Sequence, residues 1–166
     1  MIYAALGSHR QRAKDAFAAA GIDPARIDFV GRVSTPEYFA QYNRIDIALD
    51  PFPYPGGTTT CDALWMGVPV VCLPGNTAIS RGGLSVLSNV GLPDLAAKDI
   101  DHYVQLAVSL ATNPARLTDL RSSMRTRMLA SPLMNAPQFA RDFETVLRSM
   151  WHSWCAAQAS NASPAK

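Results

Sequence analysis

The residues best suited to chemistry lie in one stretch, DPFPYPGGTTTCDALWMGVPVV, running from Asp50 to Val71. Gly56 and Gly57 remove side chains and permit unusual backbone angles, while Thr58, Thr59 and Thr60 bring hydroxyls to the expected start of a helix. Free N–H groups there, with the positive end of the helix dipole, would face a phosphate, and threonine hydroxyls would add donors. Asp62 follows one turn in, as an acceptor suited to a ribose diol. The same residues also spell an ordinary helix start: Thr59 and Asp62 have the spacing of a capping box, with Asp in place of Glu or Gln. Local grammar alone favours that reading. A second loop shifts the balance, because Gly75, Asn76 and Thr77 also follow a strand end and lead into SRGG. Arg81 in that loop would meet a phosphate or orient a carbonyl, although a lone arginine at a helix start is more often a surface residue.

Other candidates are weaker. Tyr38 and Phe39 follow a strand end and would stack on a planar base, with core packing as the default for aromatics in a short amphipathic helix. His9, His102 and His152 are scattered, and there is no metal-ligand spacing, G-x-S-x-G turn or G-x-x-x-x-G-K loop. Met150, Trp151 and Trp154 lie near helical spacing and are expected to cover the core.

The elements that must position the Gly/Thr turn alternate along the chain. MIYAAL reads as a short strand, RQRAKDAFAAAG as a helix stopped at Gly21, and RIDFVG as a strand. TPEYFAQYN is a helix with Pro36 in its first turn, and IDIALD is a strand ending at Asp50. A helix over about Thr60 to Met66 and the buried-type strand VPVVCLP follow. Such alternation implies right-handed crossovers and one parallel sheet covered by helices, an α/β Rossmann-like fold with ligands bound beyond the strand ends. Additional helices are expected at SRGGLSVLSNVG, DIDHYVQLAVSLAT, NPARLTDLRSSMRTRMLA and APQFARDFETVLRSMWHSWCAA, with Asn113 and Asp101 as candidate caps.

With 166 residues, 48% hydrophobic and 17% charged, the chain suits one globular domain, placed at 1–155, and a polar tail at 156–166 that is expected to be disordered. Fifteen basic residues against thirteen acidic ones, without a basic block, argue against nucleic acid. Cys61, Cys72 and Cys155 are odd in number and widely spaced, which fits a reducing cytoplasm rather than a disulfide framework or zinc site. No segment has the apolar length of a membrane span, and no targeting signal is read at the start.

At DPFPYPGGTTTCDALWMGVPVVCLPG and SRGGLSVLSNVGLPDLAAKD the chain closely resembles the C-terminal catalytic half of protein O-linked N-acetylglucosamine transferases, the bacterial members especially. The likeness covers nearly everything except the tail. It implies the C-terminal half of a GT-B glycosyltransferase, two facing Rossmann-like domains with the nucleotide-sugar held mainly by the second. The resemblance also implies that Thr58 and Thr59 contact the diphosphate, that Asp62 binds the ribose, and that the loop at Val33 meets the uracil edge. Tyr38 falls where the animal enzymes have a histidine against the base, and Gly57 replaces another histidine of their phosphate loop. The family's N-terminal catalytic domain, its tetratricopeptide repeats and a lysine that stabilises the leaving diphosphate have no counterpart in this chain; Lys14 does not match that lysine by position.

The implied donor is UDP-N-acetylglucosamine, transferred with inversion to serine or threonine hydroxyls without a required metal or other cofactor. This chain alone is expected to bind UDP weakly and to transfer little or nothing. The expected partners are the UDP-sugar, a protein acceptor and the missing domain, with self-association through an exposed apolar face. Two alternatives stand beside this reading: another UDP-sugar enzyme of the GT-B class, such as an N-glycosyltransferase or epimerase, and a non-catalytic interaction module that keeps the fold.

Overall fold

The computed structural model describes residues 1–162. Strand β1 (Ile2–Tyr3) leads into helix α1 (Ser8–Ala19), and β2 (Phe29–Val30) into α2 (Thr35–Gln41). Ser34 starts α2: its N–H and hydroxyl both donate to the Glu37 carboxylate, at 3.0 and 2.8 Å, and Pro36 takes a first-turn position where an N–H is not needed. Strand β3 (Ala48–Leu49), helix α3 (Thr58–Trp65) and strand β4 (Val70–Val71) form the next crossover. Four helices follow: α4 (Gly82–Asn89), α5 (Ile100–Ala111), α6 (Pro114–Ala130) and α7 (Ala136–Ala162). The alternation read from the sequence is therefore present. Asn113 caps α6 by accepting from the Arg116 N–H, whereas the cap of α5 is Asp99, accepting from the His102 N–H, and not Asp101.

The strands pair in parallel, as the α/β alternation requires, but as two short sheets rather than one. Ile2 is in register with Phe29 in the first, and Ala48 with Val70 in the second, which gains a parallel bridge between Cys72 and Ala96. A cavity of about 610 Å3 is lined by Ile2, Tyr3 and Val30 from one sheet and Ala48 and Leu49 from the other. No ladder joins the two sheets among the described residues.

The core gathers around β4. Leu64, Val68, Val70, Val71, Leu87 and Met124 are fully buried, so α3, α4 and α6 all contribute to one apolar interior. Gly67, which ends the α3 crossover, has φ of +81°, and a Cβ there would lie 2.9 Å from the Arg121 carbonyl oxygen. Both its backbone angle and the close approach of α6 exclude a side chain. The outer helix α7 departs from expectation twice. It continues as helix to Ala162, through the start of the segment expected to be disordered, and residues 163–166 lie outside the described residues. Met150, Trp151 and Trp154 do not cover the core: with Phe139, Phe143 and Leu147 they are 49–68% exposed, forming a stripe at helical spacing.

Candidate functional site

The turn between β3 and α3 is built around a buried acid. Asp50, the residue after β3, is 7% exposed and turns its carboxylate inward. The Thr60 hydroxyl lies 3.0 Å from both carboxylate oxygens and donates to them, while the Gly56 N–H donates at 3.3 Å. On the other side, the Tyr103 hydroxyl donates to the Asp50 carbonyl at 3.0 Å. These bonds strap the end of the strand to the first turn of the helix. Burial raises the Asp50 pKa, with the Thr60 and Gly56 donors pulling the other way. Burial, and then the Asp50 charge, pushes the neighbouring Cys72 thiol up to about 11.

The two glycines serve different ends. A Cβ on Gly56 would lie 2.5 Å from the Thr59 hydroxyl and 2.6 Å from that of Thr60, so only glycine lets the strap close. A Cβ on Gly57 would meet nothing within 4 Å. Gly57 is the cap of α3 and offers no side chain to its N–H groups, so space in front of the helix stays open. The first bond within α3 runs from the Cys61 N–H to the Gly57 carbonyl at 3.1 Å. The N–H groups of Gly57, Thr58, Thr59 and Thr60 therefore donate to nothing among the described residues, and no acid stands in the first turn to neutralise the dipole.

The three threonines divide. Thr58 and Thr59 are exposed, and neither hydroxyl makes a hydrogen bond among the described residues. Thr60, expected at the ligand, is 1% exposed and commits its hydroxyl to Asp50, so its side chain is structural. The alternative capping box between Thr59 and Asp62 does not form. Asp62 instead accepts from the Tyr38 hydroxyl at 3.0 Å through Oδ2, and Tyr38 meets the Tyr42 hydroxyl at 2.6 Å. Tyr38 thus reaches the turn by its hydroxyl, while its ring packs edge-on against Tyr3, Phe39 and Tyr42.

Structure unites Gly56, Gly57, Thr58, Thr59, Asp62 and Tyr38 in one place. Val33 is half-buried directly before the Ser34 cap, and no hydrogen bond among the described residues ties it to the turn. Arg81 is exposed before α4, and its side chain makes no ion pair or hydrogen bond among the described residues. The second loop largely satisfies itself: Thr77 donates its N–H to the Ser80 hydroxyl, which donates in turn to the Thr77 carbonyl. Sequence reasoning missed Asp50, Tyr42 and Tyr103. For Asp50 a signal existed, an acid closing an apolar strand ten residues before a threonine; the two tyrosines carried none.

Comparison with known proteins identifies the family. Residues 3–143 match the pattern of glycosyl transferase family 41. A probable UDP-N-acetylglucosamine–peptide N-acetylglucosaminyltransferase SPINDLY of Petunia hybrida is 41% identical over 149 residues, 89% of this chain and 16% of the relative. The UDP-N-acetylglucosamine–peptide N-acetylglucosaminyltransferase of Caenorhabditis elegans is 34% identical over 79% of this chain and 11% of its own length. Among solved structures, the K341M mutant of Thermobaculum terrenum O-GlcNAc transferase superposes with a TM-score of 0.84 at 32% identity, covering 90% of this chain and 29% of that one. The chain thus spans a small part of the proteins it matches.

Proposed function

This chain belongs to glycosyl transferase family 41, and we propose that its Gly/Thr turn is the donor-side cradle for the UDP moiety of UDP-N-acetylglucosamine. The observation that carries this reading is the open start of α3, with four undonated N–H groups, two free threonine hydroxyls and no acid in the first turn. Thr58 and Thr59 hold the diphosphate, Asp62 accepts from the ribose, and Val33 and the Tyr38 ring bound the base. In the whole enzyme, a serine or threonine oxygen bonds to the sugar's anomeric carbon as the bond to UDP breaks, and the hydroxyl proton is released to solvent as UDP departs. The chain's own task is to stabilise the charge left on UDP. Preorganised N–H groups do this at little reorganisation cost, so the cradle is proposed to work without a metal. Acceptor binding and leaving-group stabilisation by a lysine are assigned to other parts of such an enzyme, so this chain alone binds UDP and transfers little.

A ligand bound only by the folded state raises the melting temperature by mass action. Millimolar UDP is expected to raise it for this chain, with the shift unaffected by EDTA and lost in Thr59→Ala and Asp62→Ala. An unshifted parent would overturn the reading. UDP-glucose in parallel separates other donors from UDP-N-acetylglucosamine. The α7 stripe favours a second reading, an interaction module, which predicts stabilisation by a protein partner and none by UDP.

A further inference from the structure

We propose that Tyr42 and Tyr38 form a hydroxyl chain that aims the Asp62 carboxylate at the ribose diol, making the two tyrosines the determinants of ribonucleotide over deoxyribonucleotide binding. The inference rests on the nucleotide reading above and assigns to Tyr42 a role that no motif suggested.

Proton order follows from the geometry. An ionised carboxylate only accepts, so the contact between the Tyr38 hydroxyl and Asp62 Oδ2 at 3.0 Å uses the single Tyr38 proton. At 2.6 Å, the Tyr42 hydroxyl must then be the donor to the Tyr38 oxygen. Its alternative acceptor, the Thr59 carbonyl, lies at 3.5 Å, beyond a good hydrogen bond. Burial raises the pKa of both phenols, so both keep these protons across the working range. The chain therefore has one direction, from Tyr42 through Tyr38 to Asp62.

The chain is also rigid where it must be. Tyr42 is 8% exposed, and its ring meets that of Tyr38 edge-on, with centroids 5.4 Å apart and planes at 89°. Phe39 holds Tyr38 from another side at 5.2 Å. Oδ2 of Asp62 is thereby fixed, while Oδ1 makes no hydrogen bond among the described residues and is left to accept from a ligand. Asp62 stands four residues after Thr58, on the same face and about 6 Å further along the helix axis. A nucleotide with its diphosphate on the N–H groups of Thr58 and Thr59 brings its ribose to that free oxygen. A carboxylate whose other oxygen is pinned loses little freedom when the diol binds, and a nucleotide lacking the diol leaves its second oxygen unmatched.

The test is the affinity ratio between UDP and 2′,3′-dideoxy-UDP, measured by NMR titration on the parent, Tyr42→Phe and Tyr38→Phe. The parent is expected to favour UDP by about tenfold or more, the scale of a hydrogen bond to a charged group. Both variants should lower that ratio at least about threefold, with dideoxy-UDP affinity nearly unchanged, since the rings remain. A purely structural contact between α2 and α3 would weaken both nucleotides alike or neither. An unchanged ratio in the variants, or equal weakening of both ligands, overturns the inference; so does a parent that binds UDP and dideoxy-UDP equally, which leaves UDP binding itself standing. A parent that binds neither overturns the nucleotide reading along with it. Tyr38→Phe, on a half-exposed side chain, carries the comparison if the buried Tyr42→Phe does not fold.

Discussion

At the scale of single residues, Asp50 shows how a buried charge is tolerated for the sake of a turn. Its carboxylate satisfies the Thr60 hydroxyl and the Gly56 N–H, two donors with no other partner among the described residues. Asp50→Ala leaves both unsatisfied and is expected to cost about 1–3 kcal/mol in chemical denaturation. Asp50→Asn keeps an oxygen for both and removes the charge, so its loss should be smaller. The pH dependence has a definite sign. The folded Asp50 pKa is raised above its ordinary value of 3.8, so the folded state holds the proton more tightly than the unfolded chain. The stability this contributes is fully present below 3.8 and is lost as pH rises through the folded value. Denaturation curves at acid and neutral pH should therefore show the parent losing stability relative to Asp50→Asn as pH rises. A parent that gains relative to Asn over that interval would contradict the assignment. The existence of a turn here was legible from Gly56 and Gly57, but the acid beneath it was not. Nothing local tells whether an acid at a strand end points inward or outward.

At the scale of elements, α3 is a helix whose start is left without a cap. Most helices fill that position with a side-chain acceptor or an early acid. Thr58→Asp would supply one and is expected to raise the stability of the free chain by about 0.3–1 kcal/mol. The same charge would repel a diphosphate, so the UDP-induced melting shift should vanish. Higher stability with the shift retained would show that the ligand's charge does not rest on this helix start. The contrast with α2 is instructive, because Ser34 and Glu37 close that helix by local bonds that its sequence spells out. Thr59 and Asp62 have the same spacing and do not close theirs. Asp62 is taken by Tyr38, twenty-four residues earlier, and Thr60 by Asp50, ten residues earlier. Tertiary contacts thus convert an apparent cap into an open site.

At the scale of the whole molecule, exposed apolar surface stands out. The α7 stripe carries stacked Phe139 and Phe143 and, further on, stacked Trp151 and Trp154, at centroid distances of 5.9 and 5.2 Å. A formal charge of +2 gives little mutual repulsion between copies. The chain is therefore expected to associate with rising concentration in sedimentation experiments, and the double variant Phe143→Glu with Trp151→Glu to shift the distribution towards monomer. A parent that sediments as a monomer at all concentrations would count against this. By itself, the sequence determined the α/β alternation, the parallel pairing and the place of the turn. Those rest on local periodicity, on glycine's freedom and on helix-start chemistry, all acting over a few residues. Only the tertiary structure decided that the strands form two short sheets, that the Trp151 and Trp154 face is outward, and which threonine faces in. It also decided that Tyr42, Tyr38 and Asp62 meet. Those outcomes depend on which distant groups compete for the same hydrogen bond or the same buried volume, and that competition exists only once the chain is packed.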